Sequence, residues 1–159
     1  MLLFSTLLTA QRFPHAFATR TTKDAELQRV LGTTEVIQSK QVHGSRVVEA
    51  DAPPGTEADA IVARSTRAAP QAIIAVGVRV ADCVPVLIAA AKSGDVAAVH
   101  AGWRGVVAEV VPAAVKALGG GPVFAAIGPC IGACCFEVGS DVAARIAGTC
   151  KEKRVVVWE

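Results

Sequence analysis

The sequence predicts a mixed fold of short aliphatic strands and a few flanking helices. Val84 to Ala90 is a continuous aliphatic run, which is typical of a strand buried on both faces. Gly102 to Leu118 instead carries apolar residues at helical spacing. Aromatic residues are only 4% of the 159 residues and tyrosine is absent, so the core must be built from Ala, Val, Ile and Leu. A chain of this length is normally one domain, and we expect a single domain over residues 1–159.

The first predicted strands surround a turn. Glu35 to Ser39 and Arg46 to Ala50 read as strands on either side of Gln41-Val42-His43-Gly44, which places His43 in the turn. A Pro-Gly loop follows, and Asp59 to Ala63 is a further short strand.

The central part of the chain predicts a group of adjacent strands. Ala72 to Val80 is aliphatic apart from Gly77 and Arg79, and with Val84 to Ala90 it predicts two buried strands. A turn over residues 92–95 then leads into Val96 to His100, which we expect to pair with the preceding strand as a hairpin. Cys83 would lie at the junction between the two buried strands, and His100 at the end of the third.

The last part of the chain predicts two helices and a strand. The helix over Gly102 to Leu118 should bend or restart at Pro112, and it ends before a glycine run and Pro122. Val123 to Ile127 is a further strand. Ser140 is placed to cap a short helix that runs through Ala147.

Charge and cysteine usage exclude several classes of protein. The net charge is +2 without a basic block, so we expect no nucleic-acid partner. The longest apolar region is interrupted by Arg79 and Asp82, and the apolar first ten residues lack a basic start, so we expect neither a membrane span nor a signal peptide. The five cysteines have no paired spacing, which is typical of reduced thiols in a cytoplasmic protein. We expect a monomer.

His43, Cys83 and His100 are candidate ligands for a transition metal. Two imidazoles and a thiolate leave a fourth position for water, which is the arrangement of catalytic rather than structural zinc sites. The three residues are far apart in sequence, so their spacing alone does not establish a site. Each has a structural alternative as a buried thiol or a hydrogen-bonded histidine, and we assign that structural reading to His15.

Two further segments carry candidate site residues. Gly102-Trp103-Arg104-Gly105 offers a guanidinium for a phosphate or carboxylate and an indole for a flat ring, although Trp103 and Arg104 could equally serve to hold the helix start. In residues 128–137, glycines allow close approach to a ligand and Glu137 is a candidate acid–base group. A second metal site in the same segment is not favoured, because adjacent thiols rarely point at one ion; its ligands would be Cys130, Cys134 and Cys135.

Four motifs in order resemble the YfiH family, also called laccase-domain or polyphenol-oxidase-like proteins. They are Val42-His43-Gly44, Ala81-Asp82-Cys83-Val84-Pro85, His100-Ala101-Gly102-Trp103-Arg104-Gly105, and Gly128-Pro129 through Cys134-Cys135-Phe136-Glu137-Val138-Gly139. The resemblance covers roughly His15 to Ala147. It implies a four-layer α/β/β/α fold, with zinc held by His43, Cys83 and His100. The chain differs from the family in a shorter loop after Arg20 and in lacking the usual C-terminal stretch.

The resemblance also implies activity on purine nucleosides. It implies phosphorolysis of adenosine, inosine, guanosine or methylthioadenosine, together with deamination of adenosine. Within that activity we assign phosphate binding to Arg104 and ring stacking to Trp103. Asp82 and Glu137 are candidate proton carriers, beside the catalytic pair Cys83 and His100.

Three alternatives stay open. The first is a cysteine hydrolase with Cys83 as nucleophile and His100 as base. The second is a copper-dependent phenol oxidase, since copper could replace zinc, but three histidines are few for a multicopper enzyme. The third is an inactive binding module, which the missing C-terminal stretch favours.

Overall fold

The computed structural model describes residues 1–65 and 74–149, and it confirms a mixed α and β fold. In these residues a five-stranded sheet is accompanied by two separate strand pairs. The strands are β1 (Leu2–Leu3), β2 (Phe17–Ala18), β3 (Val36–Ile37), β4 (Val47–Glu49), β5 (Ala60–Ala63), β6 (Ala75–Val76), β7 (Val84–Ala90), β8 (Val96–Ala101) and β9 (Val123–Ile127). The helices are α1 (Thr6–Ala10), α2 (Asp24–Leu31), α3 (Trp103–Val107), α4 (Val110–Ala117) and α5 (Ser140–Ala147). The four-layer arrangement stays a prediction.

The five-stranded sheet has the order β4-β5-β8-β7-β9. β7 and β8 form the predicted antiparallel hairpin, and β8 also pairs antiparallel with β5. In the hairpin register, Pro85 lies opposite His100 and Val84 lies opposite Ala101. This register brings the residue before β7, Cys83, to the same end of the sheet as His100.

The core lies on both faces of this sheet. On one face, Val110, Ala114 and Leu118 pack against small residues of the central strands. The many alanines of β5 and β8 let the helix approach closely, and each fully buried valine contributes about 1.5–3 kcal/mol of transfer free energy. On the other face, Leu8 packs with Ala89 and Ala126 under partly buried phenylalanines. The prediction of an aliphatic core is confirmed.

The predicted break in the long helix is confirmed. α3 ends at Val107, Glu109 adopts a left-handed backbone with φ 60°, and α4 starts at Val110. Pro112 therefore lies in the first turn of α4, where its missing N–H has no intrahelical partner to lose.

Two sequence predictions were wrong in detail. The strand predicted over Ala72 to Val80 is reduced to Ala75–Val76, which pairs parallel with β3, and residues 77–80 are not strand. Residues 72 and 73 lie outside the described residues. Ser140 is the first residue of α5 rather than its cap, since Gly139 takes that position. The Asp141 carboxylate lies so close to Gly139 that a Cβ there would be 2.7 Å from it, and this acidic group faces the positive helix end.

The N-terminal elements were not predicted from the sequence. Residues 1–31 form β1, α1, β2 and α2, and α1 packs against β9. Among the described residues no helix is long and apolar enough to cross a membrane. Cys150 and the basic residues near the C-terminus lie outside the described residues.

Candidate metal centre

His43, Cys83 and His100 converge at one end of the five-stranded sheet. One ligand atom from each lies within 4.8 Å of the others. His100 is buried, Cys83 is partly buried and His43 is exposed, so the group opens to solvent on the His43 side. The two imidazole rings meet edge to face with centroids 4.7 Å apart. Within the described ranges no other cluster of His, Cys, Asp or Glu meets the same criterion.

The His43 turn is wrapped around the carboxylate of Asp59. Three successive backbone N–H groups donate to this carboxylate, from Val42 at 3.2 Å, His43 at 2.9 Å and Gly44 at 2.7 Å. Such a concave run of N–H groups needs a left-handed residue, and His43 supplies it with φ 60°. A non-glycine residue in this region costs of order 1–3 kcal/mol, which the bonds to the carboxylate offset.

Asp59 also holds His100. Its Oδ1 lies 2.7 Å from Nδ1 of His100, and its carbonyl accepts the His100 backbone N–H at 2.7 Å. With Nδ1 donating to the carboxylate, Nε2 carries the free lone pair and is the atom of this ring that could bind a metal. Carboxylate support of this kind fixes the ring orientation and raises the basicity of the imidazole as a metal ligand.

Asp59 is fully buried, and its carboxylate accepts several hydrogen bonds. Burial works to raise the pKa of its carboxyl, but the hydrogen bonds from His100 and from the backbone of Gly44, Val42 and His43 outweigh it. The net pKa therefore lies below the ordinary aspartate value.

Two glycines allow the ligand segments to pack together. A Cβ at Gly102 would lie 3.0 Å from Cδ2 of His43 and 3.1 Å from Sγ of Cys83. A Cβ at Gly105 would lie 2.9 Å from the carbonyl oxygen of Gly44. The glycines that bracket Trp103 and Arg104 thus allow α3 to approach the three converging side chains and the His43 turn.

The ligand set fits a first-row transition metal. In a tetrahedral zinc site with bonds of 2.0–2.3 Å, ligand atoms lie roughly 3.3–3.7 Å apart. The three atoms here lie within 4.8 Å of one another, so side-chain movements of about 1 Å would bring them to the distances of such a site. Two imidazoles and one thiol, with a carboxylate behind one imidazole, match the donors that zinc prefers.

Trp103, which follows the Gly102 that contacts the converging group, is in contact with two cationic side chains. The Arg104 guanidinium is 4.7 Å from the indole centroid, and that of Arg145 on α5 is 5.5 Å from it. Neither guanidinium forms a salt bridge with a carboxylate in the described part of the chain. The half-buried ring and the two exposed cations form a positively charged surface.

The predicted proton carriers are less closely placed. Asp82 precedes Cys83 and is exposed, and its carbonyl accepts the Ile131 N–H at 3.0 Å. Glu137 is also exposed and follows the turn at Cys135. Neither carboxylate joins the group of converging ligand atoms, and their roles stay predictions.

Sequence comparison decides the family. The profile of a family described as multi-copper polyphenol oxidoreductase laccase matches residues 18–158. The chain belongs to this laccase-domain family. The resemblance to YfiH proteins is thereby confirmed.

Relatives in the laccase-domain family carry enzyme names. A purine nucleoside phosphorylase of Streptomyces coelicolor is 42% identical over 121 residues, which is 70% of this chain and 48% of that protein. An adenosine deaminase of an unknown prokaryote is 45% identical over 74 residues, which is 43% of this chain and 28% of that protein. The chain therefore spans about half the length, or less, of the curated relatives it matches.

Solved structures of the laccase-domain family share the fold. A Neisseria meningitidis protein of the DUF152 family matches with a TM-score of 0.65 at 36% identity, covering 77% of this chain and 49% of that one. The Bacillus licheniformis protein YfiH matches with a TM-score of 0.61 at 24% identity, covering 77% and 51%. The second likeness concerns the fold alone.

Two of the three histidines of this laccase-domain chain belong to the converging group. The third, His15, is engaged by the backbone. Nε2 of His15 accepts the Ser5 N–H at 2.7 Å, and Nδ1 lies 2.8 Å from the Phe13 carbonyl. The structural reading of His15 agrees with these contacts.

Asp59 is the site residue that sequence reasoning missed. It was predicted only as the first residue of a strand. Its sequence context did contain a signal, because it is the single acid in the buried stretch from Ala58 to Ala63. A buried carboxylate requires charged or N–H partners, and here these partners are the metal-ligand segments.

Proposed function

We propose that this protein is a zinc-dependent purine nucleoside phosphorylase that also deaminates adenosine. The observation that carries the proposal is the convergence of His43, Cys83 and His100, with Asp59 supporting both histidine segments. The names of the relatives supply the substrate class. Adenosine, inosine, guanosine and methylthioadenosine are the nucleosides we propose, with phosphate as the second substrate.

The metal would be held by the two imidazoles and the Cys83 thiolate. When bound in such a set, zinc acts as a Lewis acid and lowers the pKa of a coordinated water toward neutrality. Asp59 keeps the His100 ring in the orientation needed for its ligand nitrogen. The open His43 side is the face from which substrate approaches.

The remaining residues would bind and orient the substrates. In phosphorolysis, an oxygen of phosphate bonds to the anomeric carbon as the bond from that carbon to the purine nitrogen breaks. Arg104 is our candidate for binding the phosphate, because its guanidinium lacks a carboxylate partner in the described residues. Trp103 offers a flat surface for the purine, and Asp82 or Glu137 would protonate the departing base.

Deamination would use the same group of residues differently. Water adds to C6 of adenosine and ammonia leaves, so no phosphate takes part. A carboxylate must carry a proton to the departing nitrogen, and Asp82 and Glu137 are again the candidates. The two reactions therefore differ in their need for an anion site.

Product identity tests the proposal. The purified protein should be analysed for zinc and copper and then incubated with adenosine, with and without phosphate. Adenine and ribose 1-phosphate would show phosphorolysis, and inosine would show deamination. Copper in place of zinc, with oxidation of a phenol, would instead support the oxidase alternative. A metal-binding protein that converts none of these substrates would support the binding-module alternative.

One observation favours a second function. Asp59, His100 and Cys83 form an acid–histidine–thiol series that resembles the arrangement of cysteine hydrolases. Against it, burial and the nearby Asp82 and Asp59 carboxylates raise the pKa of the Cys83 thiol, which disfavours the free thiolate nucleophile. A chelator distinguishes the two functions, because it should abolish zinc-dependent activity and leave a thiol hydrolase active.

A further inference from the structure

Cys134 and Cys135 form an exposed pair of thiols that is not part of the converging His43, Cys83 and His100 group. Their sulfur atoms lie 3.1 Å apart, within hydrogen-bond distance. Both side chains are exposed and neither belongs to the converging metal-ligand group. Cys130 is also exposed but makes no hydrogen bond with either sulfur among the described residues.

The backbone holds the two sulfurs on one side of a tight turn. The N–H groups of Cys135 and Phe136 both donate to the Gly132 carbonyl, at 3.0 and 3.1 Å. The Ile131 N–H donates to the Asp82 carbonyl at 3.0 Å, which ties the loop to the main sheet. The thiols are therefore presented together by a fixed turn.

We infer that Cys134 and Cys135 are a redox-sensitive dithiol, which low-molecular-weight disulfides convert into a reversible vicinal disulfide. One thiol loses its proton and its thiolate attacks the small disulfide, giving a mixed disulfide and one released thiolate. The neighbouring thiolate then attacks the protein sulfur of the mixed disulfide and releases the second small thiolate. Two protein thiols are oxidised, one small disulfide is reduced to two thiols, and the two protons pass to the released thiolates.

The contact between the thiols allows either of them to attack first. Either sulfur can be the donor in the hydrogen bond between them. The thiol that does not attack first completes the disulfide after the mixed intermediate has formed.

Adjacent positions in the chain make this disulfide easy to reduce. Consecutive Cα atoms are about 3.8 Å apart, whereas disulfides usually join Cα atoms 4.4–6.8 Å apart. The strain raises the reduction potential, which is the property of labile rather than structural disulfides. The sulfurs need to approach by only about 1 Å to reach bonding distance.

The test treats the protein with oxidised glutathione and maps its thiols by peptide mass spectrometry after denaturation. The disulfide should account for two of the five thiols of wild type, and the peptide containing Cys134 and Cys135 should lose two hydrogens without gaining glutathione. Reduced glutathione should restore all five thiols. Cys130→Ser is the matched control and should behave like wild type at the pair.

Single substitutions of the pair provide the second readout. Cys134→Ser should leave Cys135 without a partner, so any glutathione that attaches there should remain as a mixed disulfide. Three results would overturn the inference. They are a stable glutathione adduct on the wild-type pair, no loss of thiols in wild type, and loss of the internal disulfide in Cys130→Ser.

Discussion

The Asp59 carboxylate joins the His43 turn to the His100 ring. Its Oδ1 accepts the His43 backbone N–H at 2.9 Å and lies 2.7 Å from Nδ1 of His100. One buried acid thus positions two residues that are far apart in the sequence. The metal-ligand geometry depends on this acid as much as on the ligands.

Replacing Asp59 should weaken the metal centre without removing a ligand. Asp59→Asn replaces one of the two accepting oxygens by an NH₂ group, which cannot accept a hydrogen bond. At least one backbone N–H group of the His43 turn, or the His100 ring, therefore loses its partner. We expect zinc affinity to fall about 10–100-fold, measured by competition with a chromogenic chelator. The free energy of unfolding should fall by about 3 kcal/mol or more. Asp51→Asn is the control, because Asp51 is exposed and its replacement makes the same change of side chain away from the site. Equal zinc affinity in the two variants would contradict the role of Asp59.

Gly102→Ala tests the close packing of the ligands. The backbone at Gly102, with φ −68° and ψ 162°, accommodates alanine, so the effect is steric alone. The added methyl group would lie 3.0 Å from His43 and 3.1 Å from Cys83, which should displace at least one ligand. We expect a large loss of bound zinc by metal analysis. Gly121→Ala is the control, since its Cβ would meet nothing within 4 Å.

Asp95 should contribute stability that acid removes. Burial works to raise the pKa of Asp95, but hydrogen bonds from Ser65, Arg64 and Ser93 hold it below the ordinary value. Since the folded-state pKa is the lower one, the contribution is fully present above about pH 4 and is lost as pH falls through the folded-state value. Denaturant unfolding from pH 7 to pH 2 should show a smaller acid-side loss for Asp95→Asn than for wild type. Identical pH profiles would show that Asp95 contributes nothing.

Arg104→Ala should separate the two proposed reactions. Loss of the guanidinium should depress phosphorolysis by about 10²-fold or more and raise the phosphate requirement, because one charge-assisted clamp is lost. Deamination needs no phosphate and should fall much less. Equal losses in both reactions, with a lowered melting temperature, would show instead that Arg104 only holds the start of α3.

The sequence predicted the strands of the hairpin, and it singled out the three side chains that converge, His43, Cys83 and His100. Their role as metal ligands stays a prediction. The predicted strand Val84–Ala90 has the observed bounds at both ends. A run of aliphatic residues without charges is typical of a strand that is buried on both faces. The register that sets Val84 opposite Ala101 could not be predicted, since it arises from pairing across the sheet. The role of Asp59 depends on that same long-range assembly. Ser140 was predicted as the cap of α5, but Gly139 occupies that position and Ser140 is the first residue of the helix.

Metal content and turnover, measured on one sample of wild type and one of Cys83→Ser, test the central claim most directly. We expect wild type to carry zinc in a one-to-one ratio and to convert adenosine and phosphate to adenine and ribose 1-phosphate. Cys83→Ser should lose metal and activity together, because the thiolate is a ligand. Turnover by wild type that survives complete removal of the metal by a chelator would contradict the account.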